Sequence, residues 1–190
     1  MDLQLLAMVQ DARAWLAGGE VIKKVNTYNK FLMLGFSASA QFTSRFITIH
    51  PEHVKAAIYG SPGGWPLVLY EEYNGTKLDY PIGISDIEKL SGKPFNLNEY
   101  KKVPTFYYLG DKDENDAVVY RDAYSVEHEK IIFRHFGEKP TLRWGVSTQL
   151  LRSGGANLIS KLYPDVGHMI PRETNQDIQS FILQYRDGEE

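Results

Sequence analysis

Leu5, Met8, Val9, Ala12 and Leu16 recur at intervals of three and four, a spacing that lines one stripe of a helix. Asp2 stands where a helix cap belongs, and Gly18-Gly19 stops the pattern. After a polar linker the rhythm changes to an unbroken apolar run, Phe31-Leu32-Met33-Leu34, which predicts a buried strand. That run enters Gly35-Phe36-Ser37-Ala38-Ser39-Ala40, beyond which Phe42, Phe46 and Ile49 mark a helix closed by Pro51. Three more strands are predicted, over Val54 to Tyr59, Thr105 to Leu109 and Leu158 to Tyr163. Helical patterns cover 126–136 and 142–153, and a last helix carries Ile178, Phe181, Ile182 and Tyr185 on one face.

Residues 65–102 break this order. They mix aromatics with Gly, Pro and Asn, and show only a short helical piece near Ser85–Leu90. The stretch is too long for a simple connection. It is expected to form a cap or pocket wall, or else an insertion packed on the surface for stability. Elsewhere strands and helices alternate, which predicts an α/β fold with a parallel sheet covered on both faces. In such sheets ligands bind beyond the carboxyl ends of the strands. Ser37, the acidic loop 110–116 and His168 all follow strands there.

Composition narrows the function classes. The 190 residues fit one domain, and a net charge of −3 gives no electrostatic footprint for nucleic acid. The absence of cysteine rules out disulfides and thiolate metal sites and leans toward a reducing, cytoplasmic setting. No apolar run approaches the ~20 residues that span a bilayer, so no membrane partner is expected. The start, Met1-Asp2-Leu3-Gln4, lacks the basic and apolar blocks of a signal peptide.

Ser37 lies between an apolar strand and a helix, the setting of a nucleophile elbow whose sharp turn lifts the hydroxyl clear of the backbone. Gly35 and Ser39 are small enough to flank such a turn, although Ser39 stands where glycine is commoner. The competing reading of Ser37 is a plain helix cap. The Ala38 N–H, at the helix N-terminus, is aimed to hold a developing oxyanion. His168 follows the last strand in a Gly-His turn and has the chemistry of a general base; otherwise it is a locally bonded loop histidine. His50, His53, His128 and His135 read as solvated or helix-end residues. For the acid that orients the base, the loop after Thr105–Leu109 offers Asp113, with Asp116 as the alternative. Asp111, Asp113 and Asn115 also fall on calcium-loop positions, with Asp122 at the twelfth. However, Asp116 replaces the required glycine and a strand precedes the loop, so no metal or other cofactor is expected.

The segments GFSASAQFTSRFITIHPEHVKA, YGSPGGWPL, VPTFYYLGDKDENDAV and YPDVGH resemble α/β-hydrolase-fold serine esterases, above all the polyhydroxybutyrate-depolymerase-like and feruloyl-esterase-like group. The resemblance covers nearly the whole chain, 65–102 least. It implies a triad of Ser37, His168 and Asp113 (or Asp116), an oxyanion donor at Ala38, and a substrate surface including Phe36 and Trp65. The implied substrate is a small ester, cleaved through an acyl-enzyme. In that family several strands precede the elbow and a loop among them gives the second oxyanion N–H. Here 36 residues precede Ser37. The expectation is therefore a C-terminal fragment of the fold, with the Phe31–Leu34 strand as an open apolar edge prone to self-association or completed by another chain. The alternatives are a prolyl-oligopeptidase-type peptidase and a catalytically silent partner-binding module.

Overall fold

A computed structural model describes residues 1–18 and 27–186; Gly19, half of the pair predicted to stop the first helix, lies outside them. The first helix, α1, spans Asp2–Gly18, and β1 spans Phe31–Phe36. Helix α2 (Ala38–Ile49) starts directly after Ser37 and ends before a 3-10 turn at Pro51–His53 that leads into β2 (Val54–Gly60). Within the 65–102 stretch lie a small hairpin of β3 (Glu72–Tyr73) and β4 (Thr76–Lys77) and the short helices α3 (Ile87–Ser91) and α4 (Leu97–Tyr100). Strand β5 (Thr105–Gly110), α5 (Val126–Phe136), α6 (Pro140–Ser153), β6 (Leu158–Tyr163) and α7 (Arg172–Arg186) complete the alternation.

The main sheet has four strands in the order β1-β2-β5-β6, all parallel. Strands β2 and β5 are buried along nearly their whole length, as inner strands of a covered parallel sheet should be. One face carries the larger core, in which Met33, Phe46, Ile47, Tyr59 and Leu151 pack with residues of the 65–102 stretch. Ile178 and Phe181 of α7 cover Ala56, Ile58, Phe106 and Tyr108 on the other face.

That second cover is narrow. Among the described residues strand β1 is an edge of the sheet, and its residues Leu32 and Leu34 are 36% and 50% exposed. The predicted apolar edge is therefore present in the fold, with no charge or proline in Phe31–Phe36 to blunt it.

The 65–102 stretch is no surface addition. Trp65, Leu67, Val68, Leu78 and Ile82 are almost wholly buried, and Trp65 stacks on Phe136 of α5 at 4.0 Å. The Trp65 indole N–H donates to the Ile82 carbonyl at 3.0 Å, so its polar edge is satisfied inside the core. This corrects the expectation that Trp65 touches substrate: a fully buried ring has no face left for a ligand. Periodicity missed the stretch because its burial comes from irregular turns rather than a repeating face.

Candidate active site

Ser37 has φ 58° and ψ −126°, a positive-φ conformation that costs a non-glycine residue on the order of 1–3 kcal/mol. The surrounding contacts hold it there. The Ser37 N–H donates to the Gly60 carbonyl of β2, and Ser37 O accepts from Ala40 N at 2.9 Å as α2 begins. Ser39 Oγ accepts from Phe36 N and donates to Phe36 O, clamping the turn from both sides. Gly35 is required by space: a Cβ there would lie 2.3 Å from the Ser39 carbonyl oxygen. Ser37 is thus on a strained strand-to-helix turn, and the plain-cap reading loses ground because its side chain makes no capping hydrogen bond. The Ala38 N–H belongs to the first turn of α2, where helix N–H groups have no intrahelical acceptor.

His168 and Asp113 are brought together by the loops after β6 and β5. Asp111 N donates to Tyr163 O and Lys112 N to Val166 O, both at 2.9 Å, which ties one loop to the other. That approach is possible because residue 110 is glycine; a Cβ would sit 2.1 Å from the Val166 carbonyl oxygen. The Asp113 carboxylate then meets His168 Nδ1 at 3.0 and 3.2 Å. Asp113 is 1% exposed, and its Oδ1 also accepts from Asn115 N at 3.0 Å, so a buried charge has both a partner and a backbone donor. A carboxylate at Nδ1 orients the imidazole and turns Nε2 to the opposite side of the ring.

Asp116, the alternative acid, is committed elsewhere. Its Oδ1 accepts from Arg143 Nη2 at 2.6 Å and from Val118 N at 3.0 Å. Arg143 is 1% exposed and also donates to the Glu138 carbonyl, which makes this pair an anchor between the acidic loop and α6. Asp113 and Asp116 thus serve different partners. Among the described residues no three His, Asp or Glu side chains are grouped to hold a metal ion.

Phe36 is half-buried, and its ring lies 4.8 Å from the His168 ring. Among the other histidines, His50 is the helix-end residue that caps α2, and it is buried; its Nε2 pairs with Asp2 Oδ2 at 2.9 Å and its ring lies against Phe46. The hydrogen bond from His50 holds the Asp2 carboxyl below the usual carboxylate value. His128 closes a capping box with Ser125, and His135 meets Thr76 Oγ1 at 2.9 Å.

A cavity of about 670 Å³ opens beside Ser37 and Ala38. Tyr80, Ile87, Leu90 and Ser91 form part of its wall, so the 65–102 stretch lines the site while filling the core. Sequence reasoning missed two lining residues on α2, Gln41 and Arg45. Their spacing of four and eight from Ser37 places them on the same helix face, and that spacing was the available signal.

No protein-family profile matches the sequence, and a comparison with curated proteins finds no match. Solved structures do match. Poly(aspartic acid) hydrolase-1 from Sphingomonas sp. KT-1 aligns over 93% of this chain with a TM-score of 0.59 at 19% identity. LpqC, a poly(3-hydroxybutyrate) depolymerase from Bordetella parapertussis, aligns over 97% with a TM-score of 0.57 at 16% identity. A leucine-to-alanine variant of SOBER1 from Arabidopsis thaliana aligns over 98% with a TM-score of 0.55 at 17% identity. The chain spans 60%, 58% and 63% of the lengths of these three structures. Its parallel sheet flanked by helices and these likenesses give it the α/β-hydrolase fold.

Proposed function

We propose that this domain is a serine hydrolase acting on carboxylic esters. The observation that carries the reading is the Asp113–His168 pair at 3.0 Å, whose imidazole lies 4.8 Å from the ring of Phe36, the residue before a strained Ser37. Ser37 Oγ attacks the ester carbonyl carbon while His168 Nε2 takes its proton. Asp113 holds the ring and stabilises the imidazolium that forms. The Ala38 N–H donates to the oxyanion of the tetrahedral intermediate. His168 then returns the proton to the departing alkoxide, leaving an acyl group on Ser37. Water attacks that acyl-enzyme by the same route, with His168 again as base. Nε2 has no hydrogen-bond partner among the described residues, and such bonds commonly tighten only when substrate is bound.

Ester chemistry is favoured by the likeness to LpqC, whose named polymer is a polyester. The likeness to poly(aspartic acid) hydrolase-1 favours a second reading, cleavage of amide bonds with the same residues. Turnover of matched p-nitrophenyl ester and p-nitroanilide substrates tests both. Ester hydrolysis that falls about 10⁴-fold in Asp113→Asn, with a much smaller loss in Asp116→Asn, is the expected result. Equal losses in the two variants would remove Asp113 from the mechanism, and anilide turnover outrunning the ester would move the assignment to a peptidase.

A further inference from the structure

Arg45 has no evident reason to be cationic within the protein. It is half-buried on α2, its Nε is buried without a hydrogen-bond partner, and among the described residues its guanidinium makes no ion pair. Its Nη2 donates to Gln41 Oε1 at 3.1 Å. Gln41 Nε2 is in turn fixed on the Pro62 carbonyl at 2.8 Å, so the amide cannot turn away. The rings of Tyr80 and Tyr124 lie 5.6 and 5.5 Å from the guanidinium carbon. Aromatic faces hold a cation in place, and the Tyr124 hydroxyl takes a hydrogen bond from it, but neither tyrosine supplies a negative charge. Burial pushes the Tyr124 hydroxyl up in pKa, with Arg45 pulling the other way, so the phenol is no counter-anion at neutral pH.

A partly desolvated guanidinium without an anion is costly, and it lines the cavity that holds Ser37. Side chains on a helix lean toward its N-terminus, so Arg45 points back along α2 toward Gln41 and Ser37. Four residues of helix separate Ser37 from Gln41, about 6 Å of axial rise. The carboxylates in the cavity do not cancel the charge: Asp2 is bound to His50, and Asp122 is exposed.

We propose that Arg45 seats a carboxylate of the substrate, so that the cavity selects esters carrying an anionic group a short spacer away from the scissile carbonyl. This rests on the serine-hydrolase reading and narrows its substrate class. A carboxylate there would receive charge-assisted hydrogen bonds from guanidinium N–H groups, the pairing that arginine geometry suits best.

The test compares mono-p-nitrophenyl glutarate with its neutral methyl ester, which differs only in masking the carboxylate. The wild-type protein is expected to favour the anionic ester in kcat/KM by about 10- to 100-fold. Arg45→Met keeps the unbranched stem between the tyrosines and is expected to collapse that ratio, while Arg45→Lys retains part of it. A wild-type protein without the preference, or a ratio unchanged in Arg45→Met, overturns the proposal. Binding of monomethyl glutarate to the Ser37→Ala protein, read by calorimetry, separates this from the hydrolase reading. Binding that Arg45→Met abolishes upholds the anion seat even if no ester is turned over, in which case only the catalytic reading falls. Binding indifferent to Arg45, or none at millimolar ligand, overturns the seat whatever the catalytic result.

Discussion

Helix α1 and the 65–102 stretch contrast regularity with burial. The helix runs unbroken over Asp2–Gly18, yet it contains no buried residue, and Leu3, Met8 and Trp15 are 69%, 62% and 59% exposed. The other region holds only a two-residue-stranded hairpin and two short helices, yet Trp65, Val68, Leu78 and Ile82 are at 0% exposure in the main core. A periodic pattern establishes that a segment can be a helix. It does not establish that the rest of the chain supplies a surface to bury it, and helical stability in proteins comes mostly from that packing. In the irregular stretch, aromatic rings and single hydrogen bonds such as Trp65 to Ile82 carry the packing instead.

Truncating one tryptophan in each region sets the two against each other. Trp65→Ala is expected to cost about 3–5 kcal/mol in denaturant unfolding, because it empties the stack on Phe136. Trp15→Ala is expected to stay within about 0.5 kcal/mol, as exposed substitutions do. Similar losses at both sites would mean that α1 is bound as firmly as the core.

A smaller effect is expected at the sheet margin that α1 does not cover. Leu34→Lys places a charge on the open face of β1, where Leu34 is 50% exposed. If the β1 edge is a self-association surface, sedimentation velocity is expected to show less association in the variant, with little change in stability. Unchanged association would remove the β1 edge as the contact surface.

The least effect concerns the tether of α1. The Asp2 carboxyl, lowered from 3.8 by its hydrogen bond to His50, contributes stability that is fully present above its unfolded value. That contribution is lost as the pH falls through the lower folded value. Asp2→Asn is therefore expected to loosen α1 in hydrogen exchange at neutral pH and to match the wild type in strong acid. A difference between the two that persists in acid would assign the tether to packing.

The positions of the candidate residues were more legible than the packing. Strand ends followed by Ser37, Asp113 and His168 could be read because each lies just past an apolar run, and a parallel sheet gathers such positions at one edge. The sequence put Asp113 ahead of Asp116 by its place after the strand-ending glycine, but the physical reason for the split was not legible. The split depends on which carboxylate the loop turns toward β6 and which toward Arg143, and Gly110 sets that by permitting the close approach to Val166. Trp65 was misplaced for the same kind of reason: its partner Phe136 lies on α5, far along the chain and beyond any local pattern. Arg45 was overlooked because a lone arginine in an amphipathic helix looks like solvated surface until the cavity beside it is known.

Every catalytic step above depends on Ser37 being an activated nucleophile. Mass spectrometry of the intact, folded protein after reaction with a fluorophosphonate decides that. One adduct per chain is expected, absent in Ser37→Ala and formed far more slowly in His168→Ala. Failure of the folded wild-type protein to form an adduct, or an adduct that persists in Ser37→Ala, would remove Ser37 as the nucleophile.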